Sequence, residues 1–208
     1  MELTTSKETI TNTSTIQIKK RDGRLEPLDI DKIHFVVEEA CEGLSGVSSS
    51  QIEINANIQF YDGMTTKEVQ QILVRSANDL ISLEAPNYQY AAARLLSYDV
   101  RKEAHGQYEY IPLLKLIMRN IRVGVYDKAI VEQFNKTEIK KMNTWIKRDR
   151  DLDFTYAGLR QVVDKYLVQD RSTGALYETP QDMYMMIAAT LFANYPKKNR
   201  MSYIKKYY

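Results

Sequence analysis

The chain has 208 residues, of which 44% are hydrophobic and 27% charged, the composition of an ordinary globular protein with one large domain or two small ones. Its formal net charge of +2 excludes a chain that binds polyanions along its whole length. The sequence has no apolar run long enough to span a membrane, no hydrophobic signal region and one cysteine, so it predicts a cytoplasmic protein without disulfides or a membrane partner.

The first predicted element is a short β-hairpin. Residues 1–15 contain six threonines, two serines and no aromatic residue, which predicts a disordered extension before it. Ile16 and Ile18 then alternate with polar neighbours, an Asp-Gly pair at 22–23 supplies a turn, and Leu25 resumes the pattern. The predicted boundary between the disordered extension and the hairpin is therefore near residue 16.

Four helices are predicted after the hairpin, each with a capping residue at its start or a breaking residue at its end. Their predicted starts are Asp29 or Asp31, the serine run 48–50, Thr65 and Pro86. Their predicted ends are Gly43, Gly63, about Leu83 and Gly106. The apolar positions of the second helix are Ile52, Ile54, Ile58 and Phe60. Together with the hairpin these helices predict one compact domain over residues 16–106.

Residues 107–208 are predicted to form a second, mainly helical unit. Its predicted helices lie near residues 111–123, 127–134 and 138–148, and a hairpin pairs 166–169 with 175–177. A helix from Pro180 through Ala193 is apolar nearly all round, which predicts that it is buried. Its methionines favour core packing over a cofactor site.

Motifs for common active sites are missing from the sequence. It has no GxxxxGK[ST], GxGxxG, CxxC or HExxH pattern, and its two histidines, His34 and His105, lie far apart. We therefore predict no catalytic residue and no metal site. The alternating charges of residues 148–153 favour a solvated, mutually paired face over an acid/base pair.

Residues 195–208 carry five basic and no acidic side chains, which leaves residues 1–194 at about −3. One interpretation is a nucleic-acid patch. The favoured one is a helix with solvated lysines and apolar residues that contact a partner, so no direct nucleic-acid contact is predicted. Those apolar residues are Met201, Ile204, Tyr207 and Tyr208.

A cluster of basic residues is the strongest indication of a ligand in the residues alone. Its members are Lys19, Lys20, Arg21, Lys32 and Lys102. A helix that starts at Thr65 or Thr66 would add backbone N–H groups and a favourable dipole. These groups together are suited to a triphosphate, although surface lysines on a helical bundle are the competing interpretation.

The order of several motifs resembles the large subunits of class Ia ribonucleotide reductases, beginning with their ATP-cone domain. The resemblance covers residues 16 to 208 with hardly a gap. The stretches that carry it are IKKRDG (18–23), DKI (31–33), IQFYDG (58–63), APNYQY (85–90), AAR (92–94), GQYE (106–109), DRD (149–151), KYLV (165–168) and NYP (194–196). It implies a mainly α protein: a four-helix bundle with a short β cap, then helices and one hairpin of the catalytic domain's N-terminal part.

The resemblance implies that the first domain binds ATP or dATP as an allosteric effector, with Mg²⁺ accompanying the triphosphate. The implied phosphate contacts are Lys20, Arg21, Lys102 and Thr66. The implied base and sugar contacts are Ile18, Glu26, Asp29, Lys32, Ile33, Phe60 and Val69. Cations and a helix N-terminus suit phosphates, and a carboxylate can accept from an adenine amino group.

Two residues depart from the family pattern. Asp29 stands where asparagine is usual, and Gln70 stands where a phosphate-facing histidine is common. An ionised aspartate only accepts hydrogen bonds, and glutamine lacks the charge that a histidine can carry. We therefore predict nucleotide binding with weakened inhibition by dATP.

The family's reaction removes the ribonucleotide 2′-hydroxyl and requires three cysteines, whereas this sequence contains Cys41 alone, on the first cone helix. Cys41 is predicted to be a small buried apolar side chain. We expect a split gene, rather than an experimental truncation, in which a second large-subunit chain carries the catalytic cysteines. The radical-generating small (beta) subunit is the other implied partner, and no activity is expected from this chain alone.

Two other functions remain open. A freestanding nucleotide-sensing regulator of DNA would need a zinc ribbon, whose CxxC pairs are missing from this sequence. An interaction module that has lost nucleotide binding is the third interpretation. Calorimetry with ATP and dATP separates the third interpretation from the others.

Overall fold

A computed structural model describes residues 16–208, which form a mainly α-helical protein with one two-stranded sheet, as predicted. The predicted extension at residues 1–15 lies outside the described residues. The strands are β1 (Gln17–Lys19) and β2 (Leu25–Pro27), and a 3₁₀ helix covers Arg148–Asp153. The α-helices are α1 (Ile30–Cys41), α2 (Ser49–Asn57), α3 (Thr66–Asn78), α4 (Tyr88–His105), α5 (Leu113–Arg122), α6 (Ala129–Gln133), α7 (Lys136–Asn143), α8 (Tyr156–Lys165), α9 (Pro180–Phe192) and α10 (Lys197–Tyr207).

The predicted hairpin is confirmed, and it is also attached to the loop before α3. The two strands pair antiparallel, with Ile18 opposite Glu26. On its other edge β1 continues the hydrogen bonding, because Lys19 N donates to Met64 O at 2.8 Å and Gly63 N donates to the carbonyl of the first strand residue at 2.8 Å. The basic turn of the hairpin is thereby fixed beside the N-terminus of α3.

Most of the predicted caps are present, but Pro86 precedes α4 instead of lying in its first turn, and α2 ends at Asn57, before Gly63. Asp29 is the N-cap of α1, and Thr65 forms a reciprocal capping box with Glu68 at the start of α3. Gly106 ends α4 with a φ of 74°, a left-handed conformation that glycine adopts without strain. The predicted end of α3 near Leu83 is wrong, since the helix stops at Asn78. A longer helix would bury nothing further there, because Leu83 is 96% exposed.

The predicted apolar face of α2 is only partly correct. Ile52 and Ala56, four residues apart, are fully buried. Ile54 and Ile58 are 60% and 81% exposed, contrary to the prediction. Residues two apart point in different directions on a helix, and Ile58 lies just beyond its end, so neither side chain reaches the core.

The second half contains one helix that the sequence analysis missed. Helix α8 begins at Tyr156, is capped by the side chain of the preceding Thr155, and buries Leu159, Val162 and Val163. The predicted hairpin beside it is reduced to one antiparallel bridge between Gln169 and Leu176. The predicted helices near 111–123, 127–134 and 138–148 are present as the shorter α5, α6 and α7.

Two apolar cores hold the molecule together. The first core contains buried residues of α1 to α4 and of α8, so the missed helix packs against the bundle through α4. The second core joins α5, α6, α7, α9 and α10. In α10, Ile204 is fully buried within the chain's own second core rather than facing a partner, whereas Tyr207 is 58% exposed.

Helix α9 is not buried on all sides, contrary to the prediction. Met183 and Met185 lie in the two cores. Tyr184, Ile187 and Leu191 are 37%, 41% and 54% exposed, because the neighbouring helices cover only part of the α9 surface. No helix between residues 16 and 208 is both long and apolar enough to cross a lipid bilayer.

A buried polar network joins the end of α4 to the start of α9. The backbone N–H of Ile111 donates to His105 Nδ1, so His105 Nε2 carries the proton and donates to Asp182 Oδ2 at 3.1 Å. Arg148 Nη2 donates to Asp182 Oδ1 at 2.7 Å. Asp182 Oδ2 also accepts from Thr179 Oγ1 at 2.7 Å, within the capping box at the start of α9. Burial acts to raise the pKa of Asp182, but His105 and Arg148 outweigh it and hold this pKa below its ordinary value.

The prediction of a solvated, mutually paired face at residues 148–153 is only partly correct, because Asp149, Arg150 and Asp153 are exposed but Asp151 is buried. Asp151 is 1% exposed, and its Oδ1 accepts from Gln181 Nε2 at 2.9 Å, whereas its Oδ2 has no partner among residues 16–208. The 3₁₀ helix packs against both α4 and α9, so these charges meet partners from distant parts of the chain rather than each other.

Because Asp151 is buried, the free energy of unfolding should depend on pH, and the substitution Asp151→Asn should remove this dependence. Burial raises the pKa of Asp151 to about 7, above its ordinary value, so the folded state holds this proton more tightly than the unfolded state. Asp151 therefore costs stability as pH rises from about 4 to 7. We expect the asparagine variant to be more stable than the wild type at about pH 8, by at least about 1 kcal/mol, with a smaller gain at about pH 5. Urea unfolding at both pH values checks this, and a gain that does not change with pH would refute it.

Candidate functional site

A small cavity lies where the hairpin turn meets the N-terminus of α3 and the C-terminal half of α4. Its volume is about 60 Å³. Four of the residues that the sequence analysis assigned to a nucleotide site line it: Arg21, Thr66, Gln70 and Lys102. The structure therefore brings together three predicted phosphate contacts and one residue that departs from the family pattern.

Backbone contacts fix the positions of the charged groups. Arg21 Nη1 donates to the Lys102 carbonyl oxygen at 3.1 Å, which attaches the hairpin turn to α4. Lys19 forms a parallel bridge with Thr65, so Thr66 begins α3 directly beside β1. The N–H groups of Thr66 and Lys67 belong to the first helical turn, where a helix has no internal acceptor. The arrangement is typical of a site that receives an anion.

The cations around this cavity repel one another. Lys102 is largely exposed, but partial burial is still the main cause that lowers its pKa, followed by the charges of Arg21 and Lys20. Lys32 adds a smaller contribution in the same direction, while Asp99 opposes it. An anionic ligand would relieve this repulsion and stabilise the charged form of Lys102.

Gln70 lines the cavity but uses a donor within the protein. Its Nε2 donates to the carbonyl oxygen of Leu95 at 2.8 Å, which links α3 to α4. This bond uses one of the two N–H donors of the amide and fixes its direction, so at most one donor remains for a ligand.

The other eight predicted residues are not among the residues that line the cavity. Ile18, Ile33 and Val69 are 5%, 8% and 8% exposed and belong to the first core, against which Phe60 packs. They lie beneath the hairpin, on the side of α1 and α3, where they hold the β cap on the helices.

The four charged members of that group are paired with each other. Lys20 Nζ lies 3.3 Å from Glu26 Oε2 across the hairpin. Asp29 accepts from Lys32 N at 3.1 Å, and the Lys32 ammonium group lies 2.8 Å from the second carboxylate oxygen of Asp29. The hydrogen bonds from Lys32 hold the pKa of Asp29 below its ordinary value. Asparagine could serve equally as the N-cap, so the cap alone does not require the aspartate.

The sequence analysis missed several residues of the cavity. The most informative are Lys67 and Asp99, and the remaining ones are Val36, Tyr98 and Tyr108. Asp99 lies three residues before Lys102, so the helical period places both on one face of α4. This spacing is visible in the sequence and could have indicated that Asp99 lies beside Lys102. Lys67 directly follows Thr66, but its Nζ also pairs with Glu103 at 3.0 Å.

Between residues 16 and 208, Cys41 and the two histidines form no second site. Burial raises the pKa of the Cys41 thiol to about 11, so this thiol is a poor nucleophile. His34 is exposed and lies 2.8 Å from Glu53, while His105 belongs to the buried network. Within residues 16–208 no three His, Cys, Asp or Glu side chains are grouped so that they could hold a metal ion.

Comparison with known proteins divides the chain into two matching regions. Residues 16–103 match the ATP cone domain, and residues 152–208 match the all-alpha domain of ribonucleotide reductase. The resemblance inferred from the sequence motifs is thereby confirmed.

The chain is also similar to individual reductase subunits. It is 45% identical over 191 residues to ribonucleoside-diphosphate reductase 1 subunit alpha of Escherichia coli (strain K12). Identity to the alpha subunits of Haemophilus influenzae and of Enterobacteria phage T4 is 40% over 193 residues and 37% over 195 residues. These alignments cover 92%, 93% and 93% of this chain but 25%, 26% and 25% of the relatives. The chain thus spans about a quarter of their length.

Proposed function

Because the chain belongs to the ribonucleotide reductase alpha subunits, as an ATP cone joined to an all-alpha domain, we propose that residues 16–106 bind ATP and dATP as allosteric effectors. One observation carries the proposal: Arg21, Lys102 and the first turn of α3 converge on one cavity. The mutual repulsion of these cations, which Asp99 only partly offsets, suits a polyphosphate.

The proposed nucleotide extends from this cavity over the hairpin. The triphosphate contacts Arg21, Lys102 and Thr66, with Lys20 reached by release of its ion pair to Glu26. The base and sugar lie on the side of α1, near Asp29 and Lys32, where the remaining predicted contacts surround them. These are Ile18, Glu26, Ile33, Phe60 and Val69, with Gln70 at the phosphate end. Mg²⁺ accompanies the triphosphate.

The effector domain serves reduction of ribonucleotides to deoxyribonucleotides for DNA synthesis, with the chemistry supplied by another chain. Radical reduction by this family needs three thiols, and the sequence provides Cys41 alone. A second large-subunit chain with the catalytic cysteines, produced from a split gene, joins residues 107–208, and the small (beta) subunit supplies the radical.

An apolar groove supports the proposed second chain. The exposed residues Tyr184, Ile187 and Leu191 of α9 line a groove of about 870 Å³ between α6, α8 and α9. A contiguous apolar surface of this kind is typical of an interface with another polypeptide segment.

Reconstitution tests the proposal. This chain, a companion with the three cysteines and the small subunit should together reduce CDP, and each large-subunit chain alone should not. Activity of the 208-residue chain without the companion would refute the proposal that a second chain supplies the catalytic cysteines. If nucleotide binds but no companion restores activity, a freestanding nucleotide-sensing module becomes the better explanation.

Inhibition by dATP is expected to be weak in the reconstituted enzyme. Gln70 carries no charge and one of its two N–H donors is bound to Leu95, so it adds little to phosphate binding. Replacing Gln70 with histidine should restore a cationic contact and lower the dATP concentration that halves activity about tenfold, the effect of one charge-assisted hydrogen bond. Titration of CDP reduction with dATP measures this. Full inhibition of the wild type at low micromolar dATP, or no effect of the substitution, would contradict the expectation.

A further inference from the structure

One acidic side chain lies among the cations of the cavity. Asp99 lines the cavity together with Arg21, Thr66, Lys67 and Lys102. Its half-buried carboxylate has no hydrogen-bond or ion-pair partner among residues 16–208, whereas the neighbouring Lys67 pairs with Glu103 instead. An unpartnered carboxylate in a ring of cations is unexpected, because each nearby cation would gain by pairing with it.

Burial and the charged groups around Asp99 act on its pKa in opposite directions, and the net result is a raised pKa. Burial is the main cause that raises its pKa, and Glu103 acts in the same direction. Lys67, Arg21 and Lys102, which face it from α3, the hairpin and α4, act to lower it. Because the three cations do not fully offset burial, a further cation beside Asp99 would stabilise the charged form of this carboxylate.

A triphosphate that enters this cavity meets Asp99 as a like charge. Close like charges in a partly buried site repel each other strongly, and the repulsion disappears when a divalent cation lies between them. Mg²⁺ is commonly held by one or two carboxylates together with phosphate oxygens and water. One protein carboxylate beside the phosphates fits that coordination.

We propose that Asp99 is the protein ligand of a Mg²⁺ ion that enters with the triphosphate, so that effector binding depends on the metal. The inference rests on the proposed nucleotide function and names one residue of the same site. The described residues offer no group of three metal-binding side chains, so the ion binds with the nucleotide and not before it.

Calorimetric titration of the full chain with ATP, in Mg²⁺ and in EDTA, tests the role of Asp99. We expect EDTA to weaken ATP binding by the wild type at least about tenfold. In Asp99→Asn the loss of the charge removes the repulsion, so ATP in EDTA should bind more tightly than to the wild type. Its Mg²⁺ effect should fall below about threefold. Asp164→Asn, which changes an exposed carboxylate paired with Arg160, should behave as the wild type.

The outcomes separate this inference from the proposed function. An Asp99→Asn variant with the full Mg²⁺ effect, or a wild type that binds ATP equally well in EDTA, overturns the role of Asp99 and leaves nucleotide binding intact. No ATP binding by the wild type under either condition overturns both proposals. Thermal unfolding of Asp99→Asn and of a second variant, Asp99→Ser, verifies that any change in binding is not a loss of fold.

Discussion

Replacing Lys102 with methionine is expected to weaken the binding of ATP to this chain about 10- to 100-fold, the effect of losing a charge-assisted contact to phosphate. Lys102 lines the cavity with much of its side chain exposed, and Arg21 donates to its backbone oxygen rather than to its side chain. The substitution therefore leaves the attachment of the hairpin in place. Methionine also keeps an apolar stem of similar length, so packing should change little.

The control for this variant is another lysine changed in the same way. Lys128 is exposed and pairs with Glu132 on α6, in the second half of the chain. Lys128→Met should bind ATP as the wild type does, in the same calorimetric titration. Equal affinities of the Lys102 and Lys128 variants would show that the phosphates do not lie at this cavity.

Replacing Asp182 with alanine is expected to lower the free energy of unfolding by about 3 to 5 kcal/mol, the usual cost of removing one partner from a buried ion pair. The carboxylate is fully buried and bonds to His105, Arg148 and Thr179. Its loss leaves the Arg148 guanidinium without its anion and His105 Nε2 without its acceptor. Because these groups come from three separate segments, the junction of α4, the 3₁₀ helix and α9 should loosen.

Urea unfolding of Asp182→Ala beside Asp164→Ala measures this effect. Asp164 forms an exposed pair with Arg160 one helical turn away, and such pairs contribute at most about 1 kcal/mol. Destabilisation of Asp182→Ala by no more than the control would mean that the network does not hold the two halves together.

Elements governed by short-range chemistry were predictable from the sequence. The capping box of Thr65 and Glu68 and the glycine at the end of α4 depend on residues within a few positions of each other. The hairpin likewise follows from its turn and its alternating residues. The predicted extent of α3 was wrong because its end depends on what the following residues can bury.

Features that depend on distant partners were not predictable in this way. Asp151 is buried because Gln181, thirty positions away, supplies a hydrogen bond, and no local pattern indicates that contact. The exposure of Ile54 and Ile187 depends on which helix faces neighbours cover. Helix α8 is different, since its cap at Thr155 and its apolar spacing were present in the sequence.

The candidate site was predicted in part. Resemblance to a known family placed Arg21, Thr66 and Lys102 together, and the cavity contains all three. The direction of the Gln70 amide depends on a backbone carbonyl of α4, so residue type alone could not reveal that one of its two N–H donors is used within the protein. Asp99 shares a helix face with Lys102 and could have been found from that spacing.

The central claim is that this chain itself holds an adenine nucleoside triphosphate at the junction of the hairpin, α3 and α4. The most direct test is calorimetric titration of the 208-residue chain with ATP and dATP in the presence of Mg²⁺. The account predicts saturable binding of both nucleotides, lost together on replacement of Arg21 and Lys102. Absence of binding heat with either nucleotide, for a chain that unfolds cooperatively, would contradict it.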